Sequence, residues 1–216
     1  MKHQTISLFA QPLVRLQMNV NGIAEFFDSE IKSKNGSVNK DGNMSDERLI
    51  HYHNNHNVFR LYDQLADLES EILKGANFVY RNVMNFDSEL GITNAWFNEC
   101  AIGGSQFMHN HCNAVLCGTL YLRTDEKTFI QFQNPFGISE TVCNLTDQPN
   151  TKRDNPYGYH FHFPQVTCVV ENGVCLFWPS YIKHGYYNNQ TPGRLSLSFN
   201  LMPRSFSGLY NPYFSS

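Results

Sequence analysis

The chain has 216 residues, which is enough for one domain with a well-buried core. Its net charge of -3 and its pI near 6.3 argue against a general nucleic-acid binder. The mean hydropathy is -0.40, and no run approaches the roughly 20 apolar residues of a membrane-spanning helix. Residues 1–20 also lack the pattern of a signal peptide, so we expect a cytoplasmic protein with no membrane partner.

The first part of the chain predicts strands followed by helices. Gln4–Met18 is expected to form one or two strands, interrupted by Pro12. Apolar residues then recur at helical spacing over Val20–Lys32 and again over the longer segment Val58–Met84. The polar segment Ser33–Asn57 lies between these two helices and is predicted to be a loop, so its histidines are expected at the surface.

After about residue 91 the chain changes to short runs of β-branched and aromatic residues between turn residues. Nine runs are predicted to be strands: Ala95–Ala101, Gln106–His111, Leu116–Arg123, Thr128–Phe132, Gly158–Phe163, Val166–Val170, Val174–Trp178, His184–Tyr187 and Arg194–Leu201. So many short strands indicate a sandwich, barrel or jelly roll. We therefore predict a single domain over residues 1–216, in which residues 1–90 supply N-terminal strands and supporting helices and residues 91–216 form a mainly β core.

One histidine pair in this β region has the spacing of a metal site. Alternate residues of a strand share a face, so His109 and His111 are expected to point the same way, and two imidazoles on one face can bind a divalent ion. The spacing alone is weak evidence, because the chain holds nine histidines and repeats the pattern at His51-Tyr52-His53 and at His160-Phe161-His162.

The last predicted strand has an apolar and a polar face. Leucines and Phe199 alternate with Arg194, Ser196, Ser198 and Asn200. If the apolar face packs on the helices, Arg194 points into the barrel, where a buried guanidinium needs an anionic partner. That partner is either a small-molecule carboxylate or one of the few acids in neighbouring segments, namely Glu99, Asp125, Glu126, Glu140 and Glu171.

The order and spacing of these histidines and of Arg194 resemble the motif of the iron- and 2-oxoglutarate-dependent oxygenases. The usual motif of that superfamily is His-x-Asp/Glu, a distant His, and then Arg-x-Ser. This chain has His109-x-His111, His184 and Arg194-x-Ser196. The wider pattern is similar to a subfamily found in bacteria and phages and covers about residues 94 to 202, including Trp96-Phe97-Asn98, Cys117-Gly118-Thr119-Leu120-Tyr121, Phe177-Trp178-Pro179-Ser180 and Ser198-Phe199-Asn200.

The resemblance implies a double-stranded β-helix, the jelly roll of cupin-like proteins, with Fe(II) at its open end. It also implies that 2-oxoglutarate and O2 are co-substrates. The implied metal ligands are His109, His111 and His184. The far carboxylate of 2-oxoglutarate is expected at Arg194, assisted by Ser196 and Tyr121. Candidate contacts to substrate or co-substrate are Asn98, Asn113 and Trp96.

One departure from the family motif concerns the metal ligands. His111 stands where the family usually has an acidic residue, which makes the metal site more positive by one charge. Two interpretations follow. Either three histidines bind the metal, or one of them is not a ligand and water or Asn113 takes its place.

The activity implied by the resemblance is hydroxylation of a peptide, in the manner of prolyl hydroxylases, or of a small metabolite, with release of succinate and CO2. Two alternatives are also compatible with the sequence. One is a cupin-like three-His metal enzyme that does not use 2-oxoglutarate, and the other is a non-enzymatic jelly-roll module.

Overall fold

The computed structural model describes residues 11–33, 47–53, 56–135 and 165–205. The N-terminal part contains β1 (Val14–Gln17), α1 (Ile23–Phe26) with a π-helical continuation, Phe27–Lys32, and β2 (Leu49–Tyr52). Two 3-10 turns, Val58–Arg60 and Asp63–Leu65, precede α2 (Ala66–Phe78), which also ends in a π-helical segment, Val79–Val83. The remaining strands are β3 (Leu90–Cys100), β4 (Gln106–His109), β5 (Leu116–Arg123), β6 (Phe129–Gln133), β7 (Gln165–Val169), β8 (Val174–Pro179), β9 (His184–Tyr186) and β10 (Arg194–Pro203).

These strands form two antiparallel sheets. The larger sheet has the order β1-β8-β5-β10-β3-β2, and the smaller has the order β4-β9-β6-β7. Side chains from both sheets share one core cluster, in which Tyr121 and Leu176 of the larger sheet meet Ile130 and Phe132 of the smaller. The predicted fold class, mainly β with antiparallel sheets in a jelly-roll arrangement and flanking helices, is confirmed.

The helices cover the outer face of the larger sheet. Leu195, Leu197 and Phe199 of β10 are fully buried in the same cluster as Phe27 and Ile72 of the helices. Burying each of these side chains stabilises the fold by roughly 1.5–3 kcal/mol. Because side chains alternate along a strand, this packing turns the polar face of β10 toward the space between the sheets, as predicted.

The long predicted helix begins later than its apolar spacing suggested. Val58–Met84 is not one continuous helix, since the α-helix starts at Ala66. The side chain of Asn57 accepts a hydrogen bond from the backbone N–H of Phe59 and so caps a separate 3-10 turn. Tyr62 then adopts an extended conformation, which ends that turn and leaves Leu61 half exposed.

The prediction of a loop over Ser33–Asn57 was wrong for residues 49–52. These residues form β2, which pairs with β3 in the register His51↔Asn98 and Tyr52↔Phe97. His51 is therefore buried, not at the surface as expected. Both β1 and β2 belong to the larger sheet, so the segment before residue 91 contributes strands to it as well as helices.

Several predicted features lie outside the described residues. They are the strand Gly158–Phe163 with His160 and His162, Glu140, residues 34–46 of the predicted loop, and the start of the Gln4–Met18 strand segment. Among the described helices, none is both long and apolar enough to cross a membrane.

Gly118 on β5 marks a close approach between the sheet and its apolar core. A Cβ atom at this position would lie 2.4 Å from Phe199 Cε2 and 2.7 Å from the Leu176 carbonyl oxygen. We expect Gly118→Ala to lower the free energy of unfolding by about 1–3 kcal/mol, because neither neighbour can move freely. Urea unfolding measures this difference.

Gly91→Ala on β3 is the matched control for Gly118→Ala. Its nearest neighbour would be the flexible Arg204 side chain, at 3.4 Å. Its free energy of unfolding should stay within about 0.5 kcal/mol of wild type. Equal losses in the two variants would contradict the packing explanation.

Candidate active site

Three histidines converge in a cavity lined by both sheets. His109 ends β4 and is paired in register with His184 of β9. The ring centroids of His109 and His184 lie 4.4 Å apart, and those of His111 and His184 lie 5.1 Å apart. One ring nitrogen from each residue lies within 4.8 Å of the others, a spacing that lets three nitrogens bind a single metal ion.

His111 reaches this cluster by a different route from the predicted one. The strand Gln106–His111 ends at His109, so strand alternation does not place His111. Its backbone N–H instead donates to the carbonyl oxygen of Ser180, next to the end of β8. The Trp96 ring packs against the His111 ring in a tilted arrangement, at a centroid distance of 5.9 Å.

Each histidine uses its Nδ1 atom in a hydrogen bond to an oxygen. His109 donates to the carbonyl of Phe107 at 2.8 Å, and His184 donates to the carbonyl of Ile182 at 3.1 Å. His111 donates to Oδ1 of Asn200. Because these oxygens only accept, the proton is assigned to Nδ1 in all three rings, which leaves the Nε2 lone pairs for a metal.

Burial keeps these imidazoles neutral. It lowers the pKa of His109 to about 4 and lowers the pKa of His111. It also lowers the pKa of His184 well below its usual value, with a further contribution from the other two histidines. Neutral histidine is the form that binds metal ions, so the cluster presents three donor nitrogens near neutral pH.

Arg194 lines the same cavity and is only 3% exposed to solvent. Its guanidinium carbon sits 3.6 Å from the ring centroid of Tyr186, in a cation–π contact. Its Nε atom is buried with no hydrogen-bond partner in the part of the chain that the structure describes. No ion pair links Arg194 to a carboxylate there, since Glu99 pairs with Lys32 and Glu171 pairs with Arg15.

Tyr121 provides a second buried donor beside Arg194. Its hydroxyl also has no partner among the described residues, and burial raises its pKa to about 12, so it stays protonated. Ser196 faces Tyr121 across the β5–β10 pairing and is buried. A guanidinium and two hydroxyls thus share one region of the cavity, and together they suit an anionic oxygen ligand.

Other predicted site residues are divided between the cavity and the surface. Trp96 and Asn98 line the cavity, whereas Asn113 is exposed in a turn outside it. Among the residues that the structure describes, the cavity is lined by Trp96, Asn98, Gln106, His109, His111, Gly118, Thr119, Tyr121, Ile130, Trp178, His184, Gly185, Tyr186, Arg194, Ser196 and Ser198. In the described residues no acidic side chain belongs to this lining.

Two polar residues next to the site had no role in the sequence prediction. Asn200 accepts the hydrogen bond from His111, and His51 bonds to Asn98. Asn200 belongs to the polar face that was predicted for β10. Strand alternation therefore gave the direction of its side chain, but not the residue to which that side chain bonds. No local signal distinguished His51 from the neighbouring surface histidines.

Residues 94–200 match the protein family described as "Putative 2OG-Fe(II) oxygenase". The chain belongs to the iron- and 2-oxoglutarate-dependent oxygenase superfamily. That superfamily uses Fe(II), 2-oxoglutarate and O2, as the sequence motif implied. No curated protein matches this oxygenase in sequence.

Several proteins of known structure share the fold. The nonheme α-ketoglutarate-dependent epimerase SnoN from nogalamycin biosynthesis aligns over 90% of this chain and 77% of its own, with 14% identity and a TM-score of 0.57. HygX from Streptomyces hygroscopicus, with nickel, 2-oxoglutarate and hygromycin B bound, aligns over 91% and 85%, with 11% identity and a TM-score of 0.57. A Pseudomonas putida prolyl-4-hydroxylase aligns over 90% and 94%, with 10% identity and a TM-score of 0.55.

The Asn200 amide should control how well the oxygenase binds metal. Asn200→Ala removes the acceptor that orients His111 and leaves a buried N–H without its partner. We expect about a 10- to 100-fold loss of Fe(II) affinity, as is usual when such an outer partner of a ligand is removed. Anaerobic competition with a chromophoric chelator measures it.

The matched control is Asn200→Asp, which keeps an oxygen acceptor for the His111 N–H. Its Fe(II) affinity should equal or exceed that of wild type, because a carboxylate makes the imidazole a stronger ligand. Weakened binding in Asn200→Asp comparable to that of Asn200→Ala would contradict this role.

Proposed function

We propose that this protein is an Fe(II)- and 2-oxoglutarate-dependent hydroxylase that acts on a small molecule or a peptide and releases succinate and CO2. One observation carries the proposal. The Arg194 Nε and the Tyr121 hydroxyl are buried donors without an acceptor among the described residues, and they line the same cavity as the histidine cluster. A ligand that carries a carboxylate at one end and a metal-binding group at the other satisfies both regions.

The residues of the cluster fit a bound iron ion. His109, His111 and His184 would hold it through Nε2, because their Nδ1 atoms are already engaged. With O2 and 2-oxoglutarate, iron supplies the oxidising chemistry that the superfamily uses on C–H bonds. We favour three histidine ligands over a site completed by Asn113, since Asn113 is exposed and does not line the cavity.

Arg194 would bind the far carboxylate of 2-oxoglutarate. A guanidinium pairs with a carboxylate through two parallel N–H···O bonds, and burial makes such a pair stronger than it is in water. Tyr121 would donate its hydroxyl proton to the same carboxylate, with Ser196 beside it. Before the ligand arrives, the Tyr186 ring offsets part of the cost of burying the charge.

Aromatic side chains form the dry part of the cavity. Trp178 packs edge-on against His184 at a centroid distance of 4.7 Å and is itself packed against Phe132. Both aromatic residues are almost completely buried. They would exclude water from one side of the metal site and hold the His184 ring in place. Trp96 packs against His111 and is only half buried, so we propose it as a contact to the substrate.

The charge of the site supports binding of a dianion. Three neutral histidines leave the full charge of a divalent metal, Arg194 adds a positive charge, and the described lining has no acid. A ligand set with a carboxylate would be less positive by one charge. We therefore expect 2-oxoglutarate to be held strongly.

We also propose that the chain forms one domain, because the elements before residue 91 complete the larger sheet and cover its outer face.

Succinate formation tests the proposed function. Anaerobically purified protein is loaded with Fe(II), supplied with 2-oxoglutarate and exposed to O2, and succinate is measured with and without candidate peptides and small molecules. We expect slow succinate formation that depends on Fe(II) and O2, and faster formation with a true substrate. Metal binding together with no succinate would support the three-His enzyme that does not use 2-oxoglutarate. Failure to bind metal at all would support a non-enzymatic module.

A further inference from the structure

A row of polar side chains crosses the floor of the cavity and ends on His51. The row passes through four neighbouring strands of the larger sheet, in the order β2, β3, β10 and β5. His51 Nδ1 lies 2.6 Å from Asn98 Oδ1, Asn98 Nδ2 donates to Ser198 Oγ at 2.9 Å, and Ser198 Oγ lies 3.0 Å from Thr119 Oγ1. Asn98, Ser198 and Thr119 line the cavity, whereas His51 stands behind Asn98 and does not.

The Asn98 amide is held in one orientation by its hydrogen bond to His51. An amide oxygen only accepts, so His51 donates its Nδ1 proton to Asn98 Oδ1. The Asn98 amino group is therefore the end that points to Ser198, where it donates. With the amide reversed, Ser198 would have to donate to it instead.

This orientation leaves one hydroxyl proton unused. Ser198 and Thr119 have two hydroxyl protons between them, and the bond that joins them uses one, whichever residue donates. Because Asn98 donates to Ser198, it consumes neither proton. One O–H therefore remains for a ligand in the cavity. If the amide were reversed, Ser198 would donate to Asn98, Thr119 would donate to Ser198, and neither proton would be left.

The position of this spare proton matches the metal end of the cavity. Ser198 lies two residues from Asn200, which holds His111, and four residues from Arg194 on the same strand. At about 3.3 Å per residue, these separations are about 7 Å and about 13 Å. The spare hydroxyl thus lies on the side of the metal ligands, away from Arg194.

We infer that His51 is a positioning residue for 2-oxoglutarate binding. By fixing the Asn98 amide, it keeps one hydroxyl proton of the Ser198–Thr119 pair available to an oxygen at the keto-acid end of the co-substrate. The inference rests on the proposed function, because it requires 2-oxoglutarate to span the distance between the histidine cluster and Arg194. It adds a role for β2, a strand that contributes no residue to the cavity lining.

Calorimetric titration of Mn(II)-loaded protein with 2-oxoglutarate tests this role without turnover. His51→Ala should raise the dissociation constant about fivefold, the effect of one neutral hydrogen bond. His51→Asn should restore it to near the wild-type value, because the amide nitrogen of asparagine takes about the position of Nδ1. The Mn(II) affinity of both variants should be unchanged.

A coupled variant separates positioning from a general structural effect. Ser198→Ala with Thr119→Val removes both hydroxyls, and adding His51→Ala to this pair should change the dissociation constant for 2-oxoglutarate no further. The same fivefold loss in that background would overturn the inference, as would a His51→Ala variant that binds like wild type. If the wild-type protein binds Mn(II) but not 2-oxoglutarate, both the inference and the proposed function are wrong.

Discussion

Arg194→Leu should weaken 2-oxoglutarate binding by at least about 30-fold while leaving the protein as stable as wild type or more stable. Arg194 is 3% exposed, and no carboxylate in the described residues pairs with it. Removing one partner of a buried charge pair costs about 2 kcal/mol or more, which corresponds to at least about a 30-fold loss of affinity. Calorimetric titration of the Mn(II)-loaded variant with 2-oxoglutarate measures this loss.

The stability of Arg194→Leu without ligand separates a binding residue from a structural one. A buried charge without an anionic partner destabilises a fold, and leucine keeps much of the apolar volume. The melting temperature in the absence of 2-oxoglutarate should therefore stay level or rise. A clear fall would mean that Arg194 serves the fold through a partner within the protein, contrary to the proposal.

Two further arginine variants refine the Arg194 experiment. Arg194→Lys keeps the charge but lacks the planar fork, so its affinity for 2-oxoglutarate should fall between those of wild type and Arg194→Leu. Arg15→Leu removes another strand arginine, whose ion pair with Glu171 is largely exposed. Because exposed pairs contribute little, it should bind 2-oxoglutarate like wild type.

The sheet core was predictable because buried faces impose strict alternation. In β10 every second residue meets the helices, so Leu195 and Leu197 pointed outward in the prediction and Arg194 pointed inward, as the structure has them. A shift by one residue would exchange these faces, which is why the pattern carries so much information.

The remaining features depend on contacts between distant segments. The position of His51 depends on its contact with Asn98, which lies 47 residues away in the sequence. The strand that carries His51 has only four residues, which is too few to show an alternating pattern. His111 is positioned by Ser180 and Asn200 after its strand has ended. The helix start at Ala66 follows from a side-chain cap at Asn57 and an extended Tyr62, which compete with apolar periodicity.

Each histidine of the cluster should be required for Fe(II) binding. Loss of an outer partner costs about 10- to 100-fold in metal affinity, so loss of a ligand nitrogen should exceed about 100-fold. We expect this result for His109→Ala, His111→Ala and His184→Ala, measured by anaerobic chelator competition. Circular dichroism spectra will verify the fold, which matters most for the buried His184.

Two matched variants control for changes in charge and surface. His56→Ala removes an exposed histidine outside the cluster, and Asn113→Ala removes the alternative ligand considered from the sequence. Both should bind Fe(II) like wild type, because neither side chain lines the cavity. A loss in Asn113→Ala together with normal binding in His111→Ala would establish the two-histidine interpretation and contradict the one proposed.

Combining the His111 and Asn200 variants tests whether Asn200 influences metal binding by orienting His111. If Asn200 acts only by orienting His111, Asn200→Ala should weaken Fe(II) binding in the wild-type background but not in the His111→Ala background. Independent losses that multiply would mean that Asn200 acts on the site by another route, for example through Cys117, whose thiol also donates to Asn200 Oδ1. Because Asn200 bonds directly to His111, a non-additive result would show that Asn200 acts on metal binding through His111, as expected if His111 is a ligand.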